Sequence, residues 1–174
     1  MPVFQDAEHF YRVVGEFMKI PSRPRTIQEL RQWWGHSPAY YENGDEVDQM
    51  NQIGEKIRKS RIAIEFEITQ PNALICIDAR QPKKGGNYTV YLGESIKSLD
   101  VSVKTTGDIA HQFWGGNVNV PLALMTGKIK VNGSKKKALQ MLQSIMPAFA
   151  LYPRYLELIG EQRLLSLLFS SRKR

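Results

Sequence analysis

The stretch that decides the fold runs from Thr105 to Gly133 and reads TTGDIAHQFWGGNVNVPLALMTGKIKVNG. Its pattern predicts the end of a strand, a short aromatic helix, an apolar segment, and a short strand between two glycine turns. Ser134, directly after it, is a suitable N-cap for a further helix. The apolar side chains outnumber those that so short a helix needs for packing, and very few residues are reactive. The stretch therefore predicts the wall of a site for an apolar ligand.

The residues around this stretch predict five strands. Residues 62–69 alternate apolar and polar side chains with a period of two, and residues 73–79 are almost wholly apolar. Three further segments complete the set: residues 88–92, 99–103 and 128–131.

Helices are predicted before and after the strands. The spacing of apolar residues indicates helices over 1–20, over 46–60, from Ser134 to Pro147, and from Leu151 to Phe169. This order of elements predicts an α+β fold, with one mainly antiparallel five-stranded sheet and helices covering one face. We divide the chain into an N-terminal helical extension, residues 1–44, and a main domain, residues 45–174.

Bulk properties limit the class of protein. The 174 residues suit one domain, no apolar run is long enough to span a membrane, and residues 1–20 are too charged for a secretory signal. We therefore expect a cytoplasmic protein. The single cysteine, Cys76, lies in an apolar strand and is best interpreted as a buried hydrophobic residue.

Reactive groups are sparse. His9, His36 and His111 are far apart in sequence, and we find neither a nucleophile elbow nor a cluster of metal ligands. We interpret His111 as an ordinary helix histidine, and we expect no catalytic residues, no metal and no cofactor.

The net charge of +7 favours anionic partners. The densest basic runs are residues 135–137 and 172–174, which are either solvated helix ends or contacts to an anionic membrane or an acidic partner during ligand exchange. We expect no nucleic-acid binding, because the aromatic residues are not interleaved with these charges.

The apolar surplus between Phe113 and Met125 has two interpretations, an ordinary core or a cavity, and composition alone leaves both open. The order of residues favours the cavity. Residues 100–108, Phe113, Gly116-Asn117 and residues 123–133 resemble the sterol-transfer family of sterol carrier protein type two, with MTGKIKVNG as the most recognisable motif. The resemblance covers about residues 46–150.

This resemblance implies helices that enclose a hydrophobic tunnel for a fatty acid, a fatty acyl-CoA or a sterol, in a domain that is not an enzyme. Carried over by position, it implies these lipid-binding residues: Phe113, Val118, Val120, Leu122, Met125, Ile129, Val131, Leu142 and Met146. Lys128 and Lys130 would meet the head group of an acyl-CoA.

The chain departs from the family in the extension with Trp33 and Trp34, in its long C-terminal helix, and in ending without a peroxisomal signal. The leading hypothesis is a lipid-binding or lipid-transfer protein. Two alternatives stay open: a protein-interaction module with a filled cavity, for example in a homodimer, and a small acyl-CoA-processing enzyme built on His111.

Overall fold

A computed structural model describes residues 2–29 and 45–172. Trp33 and Trp34 of the extension, and Lys173 and Arg174 of the terminal basic run, therefore lie outside the described residues. The N-terminal segment is helical without a break from Ala7 to Ser22, but the type of helix changes along it. It consists of α1 (Ala7–Phe10), a π-helical turn (Tyr11–Gly15), α2 (Glu16–Lys19) and a 3₁₀ turn (Ile20–Ser22).

Six further helices whose bounds the structure describes flank the strands in the order that the sequence predicts. They are α3 (Asp45–Ser60), α4 (Gly107–Trp114), α5 (Val120–Met125), α6 (Lys135–Ile145), α7 (Ala148–Leu158) and α8 (Gln162–Arg172). The prediction of a single helix from Leu151 to Phe169 is wrong. That segment is divided between α7 and α8 at Gly160, whose φ of +82° lies in the left-handed region that glycine tolerates.

Five strands form one sheet in the order β3-β2-β1-β4-β5. They are β1 (Ala63–Thr69), β2 (Ala73–Asp78), β3 (Thr89–Leu92), β4 (Val101–Thr106) and β5 (Lys130–Gly133). The β1–β4 pair is parallel, and the other three pairs are antiparallel. The predicted α+β fold with a mainly antiparallel sheet is confirmed.

The register separates an apolar face of the sheet from a polar one. Ile64 pairs with Ile77 and Val101, and Phe66 pairs with Ile75 and Val103, so the apolar side chains of neighbouring strands align. They join the helices in one core. The opposite face carries Glu65, which accepts a hydrogen bond from the Ser102 hydroxyl at 3.0 Å.

The N-terminal segment contributes to the same core. Phe4, Phe10 and Phe17 are buried, and the Phe17 ring lies edge-on to Trp114 with 5.6 Å between ring centroids. The Tyr155 hydroxyl donates to the Val13 carbonyl at 2.7 Å. The division of the chain at residue 44 stays a prediction.

Helix α3 approaches the N-terminal segment most closely at Gly54. A Cβ added there would lie 2.2 Å from the Pro21 carbonyl oxygen and 2.4 Å from Asn87 Nδ2. Asn87 Nδ2 itself donates to that carbonyl at 2.9 Å. Only glycine lets these backbones meet.

We expect Gly54→Ala to lower the free energy of unfolding by about 1–3 kcal/mol, although alanine favours helix formation. Urea unfolding measures the change, and the exposed Gln52→Ala in the same helix is the matched control. A Gly54→Ala protein as stable as wild type would contradict the close contact.

Candidate functional site

A cavity of about 620 Å³ lies between the apolar face of the sheet and the helices. Strands β1, β4 and β5 supply one side of it, α6 the opposite side, and α4 and α5 further walls. Its lining residues are Phe10, Met18, Ile64, Phe66, Ile68, Val103, Thr105, Ala110, Phe113, Trp114, Val120, Leu124, Ile129, Lys130, Val131, Asn132, Lys135, Ala138, Leu139, Met141, Leu142 and Ile145.

Local sequence periodicity explains this placement. Strand residues two apart share a face, which brings Ile64, Phe66 and Ile68 to the cavity side by side. On α6 the lining residues include Lys135, followed by three others at spacings of three and four: Ala138, Leu142 and Ile145.

The N-termini of the three helices that wall the cavity are capped by side chains. Thr106 accepts from the backbone N–H of Ile109 for α4, at 3.2 Å. Asn119 accepts from Leu122 for α5 at 3.1 Å, and Ser134, as the sequence predicts, accepts from Lys137 for α6 at 3.2 Å. Each cap satisfies a backbone donor that would otherwise lack a partner, which fixes where the helix begins.

A glycine fixes the turn from β5 into α6. Gly133 has a φ of +100°, and a Cβ there would lie 2.3 Å from the Asp100 carbonyl oxygen. The close approach ties the start of α6 to β4. The cavity wall on α6 is therefore held at a fixed distance from the sheet at this end.

The cavity lining is mostly apolar. Of its 22 residues, 18 are apolar, and the other four are Thr105, Lys130, Asn132 and Lys135. Among the residues that the structure describes, no aspartate or glutamate lines it. Thr105 has a partner within the protein, because its hydroxyl donates to the Lys128 carbonyl at 2.9 Å. The cavity therefore offers apolar surface together with positive charge.

The structure places the predicted lipid-binding residues in two groups. Five of them line the cavity: Phe113, Val120, Ile129, Val131 and Leu142. Val118, Leu122, Met125 and Met146 are outside its lining, and the last three are more than half exposed. Of the two lysines expected at the mouth, Lys130 lines the cavity and Lys128 does not.

The short helix α5 shows why some of the predicted lipid-binding residues line the cavity and others do not. All six of its residues are apolar, so the sequence carries no polar side that would mark the outer face. In the structure Val120 and Leu124, four residues apart, line the cavity, whereas Leu122 and Met125 face away from it.

Several lining residues are absent from the sequence-based set. Ile64, Phe66, Ile68 and Val103 lie at apolar positions of the predicted strands, but alternation does not show whether a side chain or a cavity lies opposite. The sequence could have indicated Lys135 and Ala138 as lining residues, because their spacing places them on the same helical face as Leu142.

His111 is fully buried and lies outside the cavity lining. Its Nε2 lies 2.8 Å from the Leu164 carbonyl, which can only accept, so Nε2 carries the proton. Its Nδ1, 2.9 Å from the Tyr152 hydroxyl, then accepts from that group. His111 is thus a neutral ring that joins α4, α7 and α8, rather than the solvated or partly buried helix histidine that the sequence indicated.

The other groups that the sequence analysis considered are placed as follows. Within residues 2–29 and 45–172, no three His, Cys, Asp or Glu side chains are grouped so as to hold a metal ion. The Cys76 thiol is buried on the sheet face opposite the cavity, and burial raises its pKa. Asp78 and Arg80 form an ion pair, with 3.0 Å between Oδ2 and Nη2. None of the helices in these residues is long and apolar enough to cross a bilayer.

Several solved structures to which the chain is similar are sterol carrier protein 2 domains. The apo form of sterol carrier protein 2 from Yarrowia lipolytica is 24% identical, with a TM-score of 0.44, and the match covers 60% of this chain and 81% of that chain. Sterol carrier protein domain 2 of Helicoverpa armigera is 19% identical, with a TM-score of 0.44 and coverages of 65% and 81%.

A stereoselective inverting sec-alkylsulfatase from a Pseudomonas species is also similar, at 18% identity and a TM-score of 0.46. That match covers 56% of this chain but only 15% of the sulfatase, so this chain spans a small part of that enzyme's length. No protein-family model and no curated protein matches the chain by sequence.

The burial of His111 has a consequence for stability. Desolvation lowers its pKa to about 4, whereas an unfolded imidazole titrates near 6.5. Because the unfolded chain binds the proton more readily, this contribution to stability is complete above about pH 6.5 and is lost as the pH falls toward 4.

We therefore expect the wild-type free energy of unfolding to fall by on the order of 3 kcal/mol between pH 6.5 and pH 4, relative to His111→Gln. Urea unfolding at several pH values measures this difference. His9→Gln is the matched control. Parallel pH profiles for wild type and His111→Gln would contradict the buried neutral ring.

Proposed function

We propose that the chain binds an amphipathic lipid in the cavity and carries it without performing chemistry on it. The hydrocarbon part lies among the apolar lining, and an anionic head lies beside Lys135. The composition of the lining carries the proposal: 18 of 22 residues are apolar, two are lysines, and none is acidic. Anionic amphiphiles such as a fatty acid or a fatty acyl-CoA match this pattern, and a sterol matches only its apolar part.

The size of the cavity supports a lipid-sized ligand. Its volume of about 620 Å³ lies within the range of small-molecule sites, roughly 300–1,000 Å³. Each methylene group moved from water into such a site contributes about 0.8 kcal/mol. A long hydrocarbon chain therefore gains enough free energy to be held without a covalent bond, even after the costs of association.

Lys135 is the best-placed group for an anionic head. It lies on the cavity side of α6 and in the first turn of that helix, where the backbone dipole also favours negative charge. Its neighbour Lys137 is instead engaged with Asp100, with 2.6 Å between Nζ and Oδ1.

The positions of the potentially reactive groups also favour a carrier. Both ring nitrogens of His111 are hydrogen-bonded to protein groups, and Cys76 lies on the far side of the sheet. Neither side chain lines the cavity, so neither would touch a ligand bound there.

Filling the cavity tests the site directly. We expect Ala138→Trp to reduce uptake of a fluorescent fatty acid at least tenfold, because the indole would occupy space between α6 and the sheet. Titration by fluorescence measures the affinity. Gln140→Trp, on an exposed position of the same helix, is the matched control and should bind as wild type does. Equal affinities for all three proteins would contradict the assignment of the cavity.

The head-group assignment has its own test. We expect Lys135→Gln to weaken binding of a fatty acid about tenfold, through loss of a charge-assisted contact, and to leave binding of the corresponding fatty alcohol unchanged. Competition against the fluorescent probe measures both affinities. Lys84→Gln, remote from the cavity lining, is the control with the same change of charge. Equal losses for acid and alcohol would rule out the anionic head at Lys135.

A further inference from the structure

Four apolar side chains are exposed on α5 and α6, two of the helices that wall the cavity. Leu122, Leu124 and Met125 on α5 are 54%, 45% and 85% exposed, and Leu139 on α6 is 55% exposed. We call these four residues the mouth patch. Leu124 and Leu139 also line the cavity, so the patch continues into its interior. An exposed apolar cluster at the rim of a ligand cavity is typical of an interaction surface.

The chain segment that contains the mouth patch carries positively charged side chains and no negatively charged ones. No acidic residue lies between Asp108 and Glu157, a segment that contains all of α5 and α6. Five lysines do lie there: Lys128, Lys130, Lys135, Lys136 and Lys137. Only Lys137 among them forms an ion pair with a residue that the structure describes.

The combination of apolar and positive groups distinguishes between two occupants of the patch. A second copy of the chain would cover the apolar side chains but would bring like charges together, which is unfavourable. An anionic bilayer accepts both components, since its head groups attract the lysines and its interior receives the leucines and the methionine.

We propose that the mouth patch docks on the surface of an anionic lipid bilayer, with Lys128 and Lys136 on the head groups. The cavity mouth then faces the membrane, so that a lipid exchanges between them without crossing water. This docking role rests on the proposed function of the cavity as a lipid site. The short helix α5 enters the interface with its exposed side chains, Leu122, Leu124 and Met125.

Vesicle co-sedimentation tests the charge component. The wild-type chain is expected to bind vesicles of equal parts phosphatidylcholine and phosphatidylglycerol, to bind pure phosphatidylcholine weakly, and to dissociate at high salt. The double variant Lys128→Gln/Lys136→Gln should lower the affinity about tenfold or more.

The matched control removes the same charge elsewhere. Lys83→Gln/Lys84→Gln lies in the turn before β3, at the sheet edge opposite β5. It should change the affinity by much less than the mouth variant. Equal losses for the two double variants, or no binding by the wild-type chain, would overturn the proposal. Circular dichroism confirms that each variant is folded.

A fluorescent label tests the apolar component. The natural thiol of Cys76 is buried, so Met125→Cys can be labelled with an environment-sensitive nitrobenzoxadiazole group. Anionic vesicles should shift its emission to shorter wavelength, while the same label at Lys84→Cys should show no shift. A shift at residue 84 alone, or at neither position, would overturn the proposed orientation.

Two measurements on the wild-type chain separate docking from lipid carriage. Uptake of monomeric fatty acid from solution without vesicle binding would overturn the docking proposal alone. Vesicle binding without uptake would contradict the proposed function while leaving the docking surface in place. A stable dimer that ignores vesicles, detected by sedimentation velocity, would assign the patch to a second copy and overturn the proposal.

Discussion

The central feature of the structure is a gap between the sheet and the helix layer. The gap exists because the side chains of α6 do not fill the space over β1, β4 and β5. Left empty, this space of about 620 Å³ would leave its lining side chains without packing partners on one side, which is unfavourable. Water would fill the space but would wet eighteen apolar side chains. An apolar occupant removes both costs, which connects the fold to the proposed function.

The helices around this gap are fixed by contacts away from it. The His111 ring joins α4 to α7 and α8, and the Asp100 side chain accepts a hydrogen bond from Ala63 at 2.9 Å as well as holding Lys137 on α6. These contacts maintain the walls independently of a ligand. The exposed mouth at α5 lies outside this network. The cavity walls are therefore held by contacts outside the cavity, while α5 carries exposed apolar side chains.

The sequence predicts the strands well because an alternating pattern reports directly on which side chains are buried. It predicts the cap at Ser134 because the hydroxyl, the glycine before it and the helical stripe after it agree. It does not predict the break at Gly160, since the apolar spacing continues through it. The parallel β1–β4 pairing also depends on contacts between distant segments, which local periodicity does not record.

The cavity-lining residues were harder to predict for a related reason. Periodicity tells which face of an element is inward, but not whether that face meets another side chain or a cavity. Ile64 and Phe66 therefore read as core, and the wholly apolar α5 gave no indication of which face lies outward. The resemblance to the sterol carrier family supplied positions such as Phe113 and Val131, which do line the cavity, and also Met125, which does not.

Native mass spectrometry of the purified chain, with organic extraction of the same sample, tests the central claim most directly. The account predicts a species heavier than the bare chain by one amphipathic lipid, which the extract identifies, or formation of that species when a fatty acid is added. A chain that stays at its bare mass in both conditions would contradict the account and favour a protein-interaction module on the same fold.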